Sequence, residues 1–237
     1  MNIILCGYGR MWLMIEQLVL QSEDMQIIGV VHPGLYDSAL DVPGKADVIV
    51  DFSYPGNLEA ILERARRDGA AVVIGTTGYN EAQAALIREA SRALRIMWTS
   101  NYSVGVAILR KAVAMVAPAL KDSFDIEIVE THHNQKVDAP SGTAKMLLKA
   151  VDPDDSFDHV YGREGVPGAR GHEIGIHALR GGTVAGEHSV FFFGQDETLE
   201  FKHTAASRRI FAAGALRAAR YVVNQGAGLY NMDDVLG

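Results

Sequence analysis

The chain has 237 residues, 22 Lys and Arg against 29 Asp and Glu, a net charge of -7 and a hydrophobic share of 48%. That length allows one large domain or two small ones, each with its own core. Acids and bases are interspersed without a basic tract, which excludes a nucleic-acid surface, and the single cysteine, Cys6, excludes an intramolecular disulfide and disfavours a thiolate metal site.

The opening "MNIILCGYGR" passes from an apolar strand into glycines without a charged leader. No apolar stretch reaches the roughly 18 residues that a membrane span needs. A soluble, cytoplasmic protein is expected.

In chain order, "NIILCG" predicts a short buried strand and "MWLMIEQLVLQ" a helix with Ile15, Leu18 and Val19 on one face. "MQIIGVVH" and "ADVIVDFS" predict the second and third strands. "PGNLEAILERARRDG" predicts a helix with Leu58, Ile61, Leu62 and Ala65 on one side and a stop at Gly69. "AAVVIGTTG" is a strand, "NEAQAALIREASRAL" a helix starting near Asn80, and "RIMWTSN" a strand. Apolar strands alternating with amphipathic helices specify a parallel sheet covered on both faces, a doubly wound α/β domain of Rossmann type.

The pattern changes after Asn101. "VGVAILRKAVAMVAPAL" predicts a long apolar helix, "FDIEIVETHH" a strand, and "SGTAKMLLKAV" a helix with Ser141 or Thr143 at its start. "GHEIGIHALRGG", "EHSVFFFGQ" and "TLEFKHTA" follow as strands with no helix between them, which points to an antiparallel or mixed sheet in an α+β domain. "SRRIFAAGALRAARYVVNQ" predicts a last helix before the tail. Residues 152–171 form one long polar loop, a candidate lid. The division expected is a dinucleotide-binding domain of residues 1–103 and 210–237 and a substrate-binding and oligomerisation domain of residues 104–209.

"GYGRMW" lies where a dinucleotide fingerprint belongs, between the first strand and the first helix. Gly7 permits the tight turn, and Gly9 lets backbone approach a pyrophosphate at the helix N-terminus. The third glycine of G-x-G-x-x-G is replaced by Trp12, and the ribose-binding acid at the end of the second strand by His32. "VDFS" and "GTTG" end the next two strands, where an open parallel sheet binds its ligand.

The densest chemistry is "ETHHNQKVDAPSGTA", residues 130–144. His132 and His133 are adjacent and point to opposite faces of an extended chain, so they do not share an ion, and no metal site is expected. Ser141 stands outside any G-x-S-x-G elbow, and no phosphate loop ending in G-K-[ST] is present. An anion cradle fits better. Ser141, Gly142 and Thr143 open a helix whose N-H groups and dipole favour a carboxylate. Lys136 adds a full charge, and His132 carries a proton near neutral pH. A plain helix cap would account for Ser141 alone.

The segment resembles the signature of the 4-hydroxy-tetrahydrodipicolinate (dihydrodipicolinate) reductase family. The likeness extends through "GYGRM", "VDFS", "GTTG", "SNYSVGV", "EIGIHALRGGTVAGEHSVFFFG", "SRRIFAAGALRAA" and "GLYNMDDVL" to the whole chain, in the family's shorter form. The resemblance implies reduction of a small dicarboxylate, the cyclic product of aspartate semialdehyde and pyruvate, to tetrahydrodipicolinate with NADPH or NADH, in lysine and diaminopimelate biosynthesis. It makes His132 the proton donor and Lys136 the second catalytic residue. His133, Ser141, Gly142 and Thr143 become substrate contacts. Gly7, Tyr8, Gly9, Arg10 and Met11 become the cofactor loop, with His32 beside it. Gly75, Thr76, Thr77, Thr99, Ser100, Asn101 and Tyr102 fall on the nicotinamide side. It also implies a homotetramer, which the aromatic run Phe191, Phe192 and Phe193 supports by facing both sides of one strand. The alternative is a cofactor-poor homologue that binds a dicarboxylate or a partner with little turnover, suggested by Trp12.

Overall fold

Runs of consecutive apolar residues pass through the middle of a sheet covered on both faces. β1 (Asn2–Cys6), β3 (Val48–Asp51) and β4 (Ala71–Ile74) are such runs. With β2 (Gln26–Val31), β5 (Arg95–Trp98) and β11 (Gly228–Tyr230) they form a parallel sheet in the order β11-β5-β4-β3-β1-β2. The computed structural model describes residues 1–237. This sheet belongs to one compact unit, Met1–Val104 with Arg208–Gly237; the other is Gly105–Ser207.

Helices α2 (Leu58–Asp68) and α3 (Glu81–Ala90) cover one face of the first sheet. Leu58, Ile61, Leu62, Ala65 and Ile87 pack there against Ile4, Ile49, Val72 and Ile74. Gly69 ends α2 in the left-handed conformation, and Asn80 starts α3 with a reciprocal capping box to Gln83. Helix α6 (Arg209–Val222) lies against β3, β4 and β5 and packs on α1 (Arg10–Leu20). Its buried face is almost all small residues, Ala212, Gly214, Ala215, Ala218 and Ala219. A side chain at Gly214 would run into the Tyr102 carbonyl oxygen. The helix therefore sits closer to the chain than any other residue there would allow.

The second unit holds most of α4 (Val104–Leu120), with β6 (Asp125–His132), α5 (Gly142–Val151), β7 (Asp158–Val160), β8 (Glu173–Arg180), β9 (Gly186–Gly194) and β10 (Glu197–Ala205). Its sheet runs β10-β9-β6-β8-β7 and is mixed: β8 is parallel to β6 and β7, while β9 is antiparallel to β6 and β10. Alternation places Ile126, Ile128, Val190 and Phe192 on the face packed against Leu109, Val113, Leu147 and Val151 of the two helices. No helix is long and apolar enough to cross a membrane.

Two segments differ from the sequence expectation. Residues 152–171 are not one continuous loop, because β7 joins the sheet edge inside them. The Asp152 carboxylate accepts from the Ser156 and Phe157 N-H groups and turns the chain, so Phe157 is buried although its neighbours are polar. Arg163 and Arg170 tie the rest of the segment to Glu127 and Asp125. The tail forms β11 and then α7 (Met232–Leu236), capped by Asn231 and Asp234. The connection from β2 to β3 contains no helix.

That connection is held by Arg64, whose side chain on α2 is 0% exposed. Its guanidinium donates to the carbonyls of Ala39 (2.8 Å), Val42 (2.5 Å) and Gly44 (2.6 Å) and to the Asp68 carboxylate (2.7 Å). Removing one partner of a buried ion pair typically costs about 3–5 kcal/mol. Arg64→Met should lower the urea-unfolding free energy by that order. A loss below about 1 kcal/mol would show that the carbonyls find other donors.

Candidate active site

Residues two apart on a strand share a face, so β6 presents Glu130 and His132 together. The Glu130 side chain is 0% exposed and stands 2.6 Å from His132 Nδ1 through Oε2. Parallel register sets Arg180 of β8 opposite His132. Its Nη1 donates to Oε2 and its Nη2 to Oε1 of Glu130, each at 2.8 Å. The backbone N-H of Ser141 adds a further bond to Oε1 at 2.9 Å. Burial alone would raise the Glu130 pKa, but the hydrogen bonds from His132, Arg180 and Ser141 outweigh it and hold the group at about 2.

Antiparallel register brings His188 of β9 opposite Glu130, and its ring meets that of His132 edge-on, with centroids 5.1 Å apart. His188 is buried and its Nε2 lies 3.0 Å from the Ser141 hydroxyl. Burial, with His132 close by, lowers its pKa to about 4, which keeps it neutral near pH 7. A Cβ at Gly186 would lie 3.0 Å from His132 Nε2, so this glycine keeps space beside that nitrogen.

Ser141 is the N-cap of α5 and its hydroxyl accepts from Ala144 N-H at 3.1 Å. With His188 as its other partner, the buried Ser141 side chain is committed to the protein. Gly142 is open, since a Cβ there would meet nothing within 4 Å, and Thr143 is half-buried beside it. The first turn of α5 contains no acid. An anion at this end meets N-H groups and the helix dipole without a competing carboxylate. Lys136 Nζ donates to Asp138 Oδ1 at 2.7 Å, and the Asp138 carbonyl accepts from Arg180 at 2.7 Å. The Lys136 ammonium, ahead of other causes, lowers the Asp138 pKa. His133 accepts from Lys136 N-H through its carbonyl, closing the turn between them. His132, Lys136 and Ser141 are thereby joined in one network through Glu130, Arg180 and Asp138.

In the first unit, strand order reverses between β1 and β3, where open α/β sheets bind ligands beyond the strands' carboxyl ends. Gly7 follows β1 with φ +106°, and a side chain there would strike the Phe52 carbonyl oxygen after β3. Gly9 caps α1 without a side-chain hydrogen bond, and no acid occupies the first turn. Arg10 is exposed and Met11 half-buried. Tyr8, 59% exposed, stacks on His32 at 4.0 Å and leans on Trp12 at 4.4 Å. Trp12 is thus one layer of an aromatic stack.

Gly75 makes room for the Phe52 ring, and Thr76 is buried with its hydroxyl accepting from Ser53 N-H at 2.8 Å. Thr77 and Ser100 are exposed, while Thr99 and Asn101 close a turn on each other. The Tyr102 side chain is buried and donates to the Ile74 carbonyl at 2.8 Å, so its hydroxyl is committed to the protein. A positive-φ turn, an open helix N-terminus, an exposed arginine and no nearby first-turn acid fit the pyrophosphate of a dinucleotide.

Glu130, Arg180, His188 and Gly186 were not singled out by sequence reasoning. The E-x-H spacing in "ETHH" carried a signal for Glu130, because residues i and i+2 of a strand must lie side by side. Arg180, His188 and Gly186 become visible only through strand register.

A carboxylate with a depressed pKa stabilises the fold fully above its ordinary value, here 4.5, and loses that contribution as pH falls toward about 2. Urea unfolding measured stepwise between about pH 5 and about pH 2.5 should therefore show a steeper decline for the wild type than for Glu130→Gln. Parallel declines would mean that other carboxylates govern the acid limb.

The family model described as dihydrodipicolinate reductase, N-terminus, matches residues 1–102, and that described as dihydrodipicolinate reductase, C-terminus, matches residues 105–236. The 4-hydroxy-tetrahydrodipicolinate reductase of Brachyspira hyodysenteriae is 40% identical over 240 residues, covering 100% of both chains. That of an Exiguobacterium species is 39% identical over 99% of this chain and 95% of its own. Among solved structures, a dipicolinate-bound dihydrodipicolinate reductase from Paenisporosarcina sp. TG-14 shares the fold, with a TM-score of 0.78 at 22% identity over 97% of each chain. The chain belongs to the dihydrodipicolinate reductase family of pyridine-nucleotide-dependent oxidoreductases.

Proposed function

We propose that the chain reduces 4-hydroxy-tetrahydrodipicolinate, by way of dihydrodipicolinate, to tetrahydrodipicolinate in lysine and diaminopimelate biosynthesis. The observation that carries this reading is the single network joining His132, Lys136 and the N-terminus of α5. In it the first unit binds the cofactor, and the second binds the substrate. The nicotinamide supplies the hydride. One substrate carboxylate sits on the N-H groups of Gly142 and Thr143, and Lys136 turns from Asp138 to meet its charge, with His133 alongside. His132 delivers a proton from Nε2 to the carbanion that hydride addition leaves, and stabilising that charge is what the second unit's cations provide.

His132→Ala and Lys136→Ala should each lower kcat by about 10²–10⁴-fold with the fold intact. Lys136→Ala should also weaken binding of pyridine-2,6-dicarboxylate. Either variant keeping more than about half of wild-type turnover would refute its role. A wild type that binds the dicarboxylate but does not turn over would instead favour the cofactor-poor homologue.

NADPH is used at least as well as NADH in this proposal. His32 carries no carboxylate to repel a 2'-phosphate, and its ring is engaged with Tyr8. Arg10 is exposed at the head of α1, close enough to Arg208 to lower that residue's pKa after burial has done so first. Steady-state assays with both cofactors test this. A preference for NADH above about tenfold, or about 1.4 kcal/mol, overturns it.

The proposal extends to a homotetramer built on the second unit's sheet. Phe191 and Phe193 stack at 5.4 Å on the face opposite the core-buried Phe192, and Phe193 remains 40% exposed. Covering such side chains yields about 1.5–3 kcal/mol each. Light scattering at micromolar concentration should give four times the 25.7 kDa chain mass, and a monomer would refute the assembly.

A further inference from the structure

We propose that Glu130, with Arg180 as its counter-ion, is the positioning residue that fixes which nitrogen of His132 carries the transferable proton and sets that histidine against the substrate cradle. This role rests on the reductase reading above.

A carboxylate placed at Nδ1 accepts, so it selects the neutral ring with its proton on Nδ1. Nε2 is then bare in the neutral form and gains a proton only in the imidazolium. When Nε2 gives that proton up, the ring returns to the form that Glu130 already holds. The reacting nitrogen faces the space that Gly186 keeps open.

The four hydrogen bonds converging on Glu130 come from His132, from Ser141 N-H and twice from Arg180. Oε2 therefore orients the proton donor while Oε1 holds the first residue of the cradle. A displacement of the carboxylate moves both ends of the site together. Arg180 cancels the buried negative charge and reaches the Asp138 carbonyl, and Asp138 in turn holds Lys136. The ionised groups of this network are thus Glu130 beside His132 on its own strand, Arg180 opposite it on β8 and Lys136 paired with Asp138 in the following turn, while His188 on β9, whose ring meets that of His132, is neutral. The low pKa of Glu130 keeps it an acceptor at working pH.

The test uses 15N NMR of the full chain, with the His132 resonances assigned by their loss in His132→Ala. The wild-type neutral ring should be protonated at Nδ1. Glu130→Gln, whose amide can donate to Nδ1, should move the proton to Nε2. It should also lower kcat by about 10²-fold or more. The NADPH dissociation constant should stay within about twofold, because the cofactor loop is in the other unit.

In a His132→Ala background, adding Glu130→Gln should change the residual kcat by less than about threefold, since a residue acting through His132 has nothing left to position. A second loss as large as the first would assign Glu130 a structural role only and overturn the proposal. A wild-type ring protonated at Nε2 would overturn it too, as would Glu130→Gln retaining more than about half of kcat. Wild type without reductase activity would refute the functional reading alone, and the position of the ring proton then decides the proposal by itself.

Discussion

A carboxylate removed from water is tolerable only when donors replace its hydration, and Glu130 is the point at which the second unit meets that demand. Each of its oxygens receives two bonds, with one full positive charge among the donors. The arrangement requires two strands, β6 and β8, in fixed register and a helix starting at one particular residue. A slip of β8 by one position would turn Arg180 to the opposite face and leave a bare buried charge. The chemistry of the loop after β6 is thereby coupled to the topology of the whole sheet.

The two units each open a helix in the same way. Neither α1 nor α5 has an acid in its first turn, and each begins at or beside a glycine that leaves backbone N-H groups approachable. Such sites recognise charge and shape with very little side-chain chemistry. In the first unit the aromatic stack of Trp12, Tyr8 and His32 occupies the ground where a fingerprint usually has a third glycine and an acid. In the second, Lys136 stands in the loop ahead of the helix, paired with Asp138.

Much of this was legible in the sequence because long-range order was written locally. Apolar runs gave the strands of the first sheet, Gly69 and Asn80 marked helix ends through conformation and capping, and "PSGT" announced the start of α5. What escaped notice depended on partners far along the chain. Strand β7 is short and polar, and it exists because Asp152 turns the chain and β8 offers an edge. Strand β11 is three residues long and is defined by its pairing with β5. Arg64 sits in a helix pattern that suits a solvent-facing arginine, and only the returning carbonyls of Ala39, Val42 and Gly44 give it a buried role. Periodicity reports which face is apolar; it carries nothing about a charge that a distant loop will satisfy.

The division of the chain also has a temporal side. The first unit is interrupted: Met1–Val104 is completed by Arg208–Gly237, whereas Gly105–Ser207 is continuous. During synthesis from the N-terminus, β1 to β5 leave the ribosome without the helix α6 that covers one face and without the edge strand β11. The second unit has all of its own strands before either arrives. Domains generally close as units once their residues are available. The network around His132 and Glu130 can thus be assembled while the first sheet still waits, half-covered, for residues 208–237.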